Sequence, residues 1–116
     1  MSVAIVDYGS VAHQLNEQFG MDRIGLCDHK RLRTAADFAA FRDALVARVQ
    51  VKLAASQELL RQGPWDLFMP VFGESHCIGH QCWHLHDASH PRYDAAIASA
   101  IGDPLLTVYR AIDEAI

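Results

Sequence analysis

Apolar positions recur along this chain in two rhythms, short unbroken runs that predict strands and steps of three or four that predict helices. Residues 3–6 form a short unbroken apolar run that ends in Asp7-Tyr8-Gly9-Ser10, the pattern of a buried strand closed by a turn. Residues 11–20 carry a weak helical pattern closed by Gly20, and residues 21–34 are polar and mixed, as in a loop. Thr34 then precedes Ala35-Ala36-Asp37, an N-cap with an acid in the first helical turn. From there Phe38, Phe41, Leu45, Val49, Leu53 and Leu60 recur at steps of three, four or seven. Arg42, Asp43, Arg48, Gln50 and Lys52 fill the other side, so the stretch predicts an amphipathic helix whose apolar stripe is core. Gly63-Pro64 stops it, because proline cannot continue a helix and glycine suits a left-handed cap.

Residues 66–72 are a short apolar run bounded by turn residues, too short for a helix and suited to a strand buried on both faces. Pro70 removes one ladder donor there and belongs on an edge or at a bulge. Gly102-Asp103-Pro104 opens a last helix, with Asp103 as cap and Pro104 at its first position. Leu105, Val108, Tyr109, Ile112 and Ile116 line its apolar face. The order strand, long helix, strand, loop, helix predicts α/β packing around a small parallel or mixed sheet. So few strands suggest one partial domain over residues 1–116, a piece of a larger fold.

Composition narrows the function classes. The chain has 116 residues, about half apolar (51%) and a fifth charged (21%), so a packed core is expected. The net charge is −4, and the densest basic cluster is Lys30, Arg31 and Arg33, which argues against a nucleic-acid partner. No apolar stretch is long enough to span a bilayer, and the first residues lack the features of a signal peptide. Three cysteines are too few for a disulfide scaffold, so the expectation is a cytosolic chain with reduced thiols.

The chemistry gathers in one place. Five of the seven histidines, His76, His80, His84, His86 and His90, fall within fifteen residues, accompanied by Glu74, Asp87 and Asp94. Imidazole and carboxylate are ligands that first-row divalent metals prefer, zinc above all for nitrogen donors. If residues 76–84 are helical, His76, His80 and His84 share one face. If they are irregular, Glu74 and His80 converge from a loop instead. Between them the two arrangements bring His80, His76 and Glu74 forward as candidate metal ligands, with His84 joining them only on the helical option. Some of the five are structural: His84, His86 and His90 flank Trp83 and Pro91 and have packing or capping roles open to them. Cys77 and Cys82 lack the second pair of a thiolate zinc site and read instead as small buried thiols. No glycine-rich phosphate loop, Gly-x-Ser-x-Gly elbow or His-Glu-x-x-His motif is present.

From Trp65-Asp66-Leu67-Phe68 through Phe72-Gly73-Glu74-Ser75-His76-Cys77-Ile78-Gly79-His80 to Asp87, the sequence resembles the alkaline phosphatase superfamily, in its type I phosphodiesterase / nucleotide pyrophosphatase branch. His90-Pro91, Tyr93-Asp94, Gly102-Asp103-Pro104-Leu105-Leu106 and Tyr109-Arg110 add to the likeness, which covers roughly residues 34–116. The resemblance implies an α/β/α sandwich and a hydrolase of phosphate mono- or diesters that uses two divalent metal ions, usually zinc. His80 matches the histidine of the family's Asp-x-x-x-His pair, His76 stands where that aspartate is usual, and Glu74 could compensate. The nucleophile and the remaining ligands have no counterpart here. The reading is therefore a hydrolase fragment with half of one metal site, inactive alone, that self-associates through exposed sheet edges. Two alternatives stand beside it: a small non-catalytic zinc-binding domain, and an interaction module in which the histidines are incidental.

Overall fold

The computed structural model describes residues 8–20 and 31–116, and every regular element among them is a helix. α1 (Tyr8–Phe19) follows the weak helical pattern and ends at Gly20, whose φ of 80° is the left-handed conformation that glycine adopts cheaply. α2 (Ala35–Arg61) begins at the capping box that the sequence announces. Asp37 N donates to Thr34 Oγ1 at 3.1 Å, and Thr34 N returns a bond to Asp37 Oδ2 at 2.9 Å. α3 (Glu74–His86), α4 (Ala95–Ile101) and α5 (Pro104–Ala115) follow. Asp94 and Asp103 cap the last two, accepting from Ile97 N and Leu106 N, with Pro104 at the start of α5.

The core forms where one stripe of each long helix meets the others. Phe38, Phe41 and Leu45 of α2 pack against Cys77, Ile78, Cys82 and Leu85 of α3, and against Leu105 and Val108 of α5. Phe38 lies beside His84 near the end of α3, whereas Lys52 lies beside Glu74 at its start, so α2 and α3 run antiparallel. Asp103 sits against His86, which turns α5 back along α3. α4 closes one end of this arrangement with Ile97 and Ile101, and Arg42 Nη1 donates to Ile101 O at 2.8 Å. The last two turns of α2 extend beyond α3.

This architecture corrects the α/β expectation. The partial α/β/α sandwich, with its small parallel or mixed sheet, is replaced among the described residues by packed helices without a strand. Residues 3–6 lie outside the described residues. Residues 66–72 are irregular and double back along the overhanging end of α2. Side chains hold them there: Trp65 Nε1 donates to Leu59 O at 2.7 Å, and Lys52 Nζ donates to Val71 O at 3.2 Å. Trp65, Phe68 and Phe72 are half-buried, while Leu67, Met69 and Val71 are 73%, 75% and 75% exposed. A two-sided buried strand needs a neighbour on each edge. Among the described residues this segment makes no backbone–backbone hydrogen bond from residue 64 to 72, and Pro70 has no N–H to give. The apolar run is thus a one-sided strap.

The cysteines divide. Cys82 is a buried free thiol, as expected, but Cys77 is disulfide-bonded, so the reduced-thiol expectation fails for it. Among the described residues no helix is long and apolar enough to cross a membrane.

Candidate functional site

α3 carries the residues that the sequence marked for chemistry, and its helical phase decides what each can do. Positions 74, 77, 78, 82 and 85 lie on one stripe, and Glu74, Cys77, Ile78, Cys82 and Leu85 are all buried. Glu74 is therefore the first residue of the core-facing stripe. Its carboxylate has no solvent exposure. On α2, Arg48 and Lys52 continue the phase of Leu45 and Val49 and bring two cations to meet it. Lys52 Nζ lies 2.8 Å and Arg48 Nε 3.1 Å from Glu74 Oε1. Neither Glu74 oxygen nor Arg48 Nε meets full hydrogen-bond geometry in these contacts, so the attraction is chiefly Coulombic. A buried carboxylate needs such partners, because removing an ion from water costs several kcal/mol unless opposite charge replaces the lost hydration.

His76 and His80 point elsewhere. At ~100° per residue they stand about 200° and 240° around the helix from Glu74, on the outer surface. Their rings pack edge to face, 4.4 Å between centroids, and both residues are exposed. Of the three expected ligands the structure thus brings His76 and His80 together and places Glu74 on the opposite face, held by two cations. Among the described residues no group of three His, Cys, Asp or Glu side chains is placed to hold a metal ion.

The remaining histidines have structural partners. His84 packs edge to face on Phe38, 5.4 Å between centroids, and lies 6.3 Å from the His90 ring. Burial, and then the charges of Arg92 and His90, lower its pKa from the usual 6.5. His86 Nδ1 meets Asp103 Oδ2 at 2.6 Å, which ties the end of α3 to the cap of α5. His90 Nδ1 accepts from Arg92 N at 3.0 Å, ordering the turn before α4. Asp87, held below its ordinary pKa by hydrogen bonds from Ser89, serves the same connection.

The sequence reading missed two features. Arg48 and Lys52 were assigned to the polar side of α2, although each sits three or four residues from a core position. The outer side of α5 was also unmarked. Leu106, Tyr109, Arg110, Ile112, Asp113 and Ile116 line an open, mainly apolar groove there, with Leu106, Tyr109 and Ile116 exposed. Tyr109 and Ile116, expected on the core face, are among them; the inner face is built from Leu105, Val108 and Ala111. Comparison with protein-family models, with curated proteins and with solved structures gave no match to the chain.

Proposed function

We propose that this chain is a non-catalytic helical module that works by binding another protein through exposed apolar surface. The observation that carries this reading is the strap over residues 66–72. It pins its aromatic side to α2 and turns Leu67, Met69 and Val71 outward, each about three-quarters exposed. Large apolar side chains presented together on a surface cost solubility and mark contact sites. The groups with the richest chemistry support the same reading, since Glu74, His84 and His86 are engaged in holding helices together. The α/β frame that the phosphatase resemblance implied is not the frame of the described residues.

The test compares the tagged chain with a variant carrying Leu67→Ser, Met69→Ser and Val71→Ser, both checked for equal helicity. A protein recovered in stoichiometric amount with the first and lost with the second is the expected result. Equal recovery with both, or metal-dependent phosphodiester hydrolysis by the wild-type chain above background, would overturn the reading.

A further inference from the structure

We infer that one partner of this module is a second copy of the same chain, joined through the outer face of α5 in an antiparallel helix pair. The inference rests on the interaction reading and uses a different surface from the strap. The groove residues are self-complementary under a two-fold axis at the level of Ala111. That axis sets Leu106 against Ile116 of the second copy and Tyr109 against its Asp113. Arg110, beside Tyr109, then reaches the same Asp113, and the symmetry repeats each contact, as an isologous interface requires. The groove thus presents apolar ends that match each other and a central pair of opposite charges that matches only in the antiparallel sense. A parallel pair would oppose Arg110 to Arg110 and Asp113 to Asp113.

Size sets the strength. A 12-residue helix is about 18 Å long, and a helix face of that length contributes roughly 400 Å² from each copy, below the standard interface. The dimer is therefore weak and concentration-dependent.

Sedimentation velocity of the purified chain from micromolar to millimolar concentration tests this. The expected result is a monomer–dimer equilibrium that Arg110→Asp or Asp113→Arg shifts at least tenfold toward monomer. The double variant, with the charges exchanged, should restore the wild-type equilibrium. Both substitutions lie at exposed positions, and circular dichroism checks that each variant keeps the fold. A chain that stays monomeric throughout overturns the inference, as does a dimer indifferent to the single variants or a double variant that fails to recover. If the strap variant still abolishes partner recovery in that case, the interaction reading stands without the dimer.

Discussion

Replacing Glu74 by Gln keeps the shape of the side chain and removes its charge from a fully buried position. In the wild-type chain that carboxylate lies 2.8 Å from Lys52 Nζ and 3.1 Å from Arg48 Nε. Removing one member of a fully buried ion pair costs about 3–5 kcal/mol, because the remaining charge is stranded. Here both cations keep some access to water, Arg48 at 22% and Lys52 at 31% side-chain exposure, and part of their hydration returns. The expected loss is therefore about 2–3 kcal/mol. At roughly 4 °C per kcal/mol for a chain near this length, Tm falls by about 8–12 °C. Urea unfolding followed by circular dichroism should show the same loss with an unchanged slope. The exposed control Asp43→Asn, which breaks the surface pair with Arg42, should cost less than ~0.5 kcal/mol. A cycle with Lys52→Met should give a coupling of at least ~1 kcal/mol. Glu74→Gln within ~0.5 kcal/mol of wild type, or strict additivity with Lys52→Met, would refute the assignment of Glu74 as the ionic tie between α2 and α3.

Other consequences follow from single residues. The Cys82 thiol, pushed up to about 12 by burial and then by the charge of Asp103, should react with a disulfide reagent at pH 8 at least ~100-fold more slowly in the native chain than in urea. Peptide mapping reads this residue separately, and comparable rates would contradict its burial. His84 has a lowered pKa in the folded chain, so the unfolded chain binds its proton first as pH falls. Its contribution is present above pH 6.5 and is lost as pH drops through the folded value. Urea stability between pH 7.5 and 5 should therefore fall less in His84→Gln than in wild type, and parallel curves would sink the argument. Gly102 holds φ 74° and ψ −151°, a region nearly closed to residues with a Cβ, although a Cβ there would meet no neighbour. Gly102→Ala should cost about 1–3 kcal/mol in urea unfolding from backbone strain alone, and a neutral result would show that the α4–α5 link relaxes freely.

The parts of the fold legible in sequence are those whose signals are local. Thr34 with Asp37 and Asp103 with Pro104 name the starts of α2 and α5, because a cap is satisfied by residues within one turn. Gly20 marks the end of α1 for the same reason. α4 went unread: Ala95-Ala96-Ile97-Ala98 is apolar at every position and mostly alanine, so no period shows, and Asp94 alone announces it. Residues 66–72 were misread because strand and strap share one composition. Only tertiary partners separate them, and the partners here are Leu59 O and Lys52 on α2. The candidate ligands divide by helical phase. Glu74 was grouped with the histidines by chemistry, yet it lies three and four residues before Cys77 and Ile78, on the core stripe. His76 and His80, one turn apart, were correctly placed on a common face by the helical option, and their proximity is the part of the expected site that the structure shows.

Residues 66–86 separate the two folds most sharply: the sequence predicts a strand leading into a metal loop, and a strap leading into α3 is found. Hydrogen–deuterium exchange read at peptide resolution across this stretch distinguishes the two. Amides of residues 66–72 should exchange within seconds, since among the described residues no backbone carbonyl holds them. Amides from Ile78 to His86, bonded within α3, should be protected by several orders of magnitude. Strong protection across residues 66–72 would mean that the segment is paired in a sheet, and would contradict both the helical fold and the exposed surface on which the interaction reading depends.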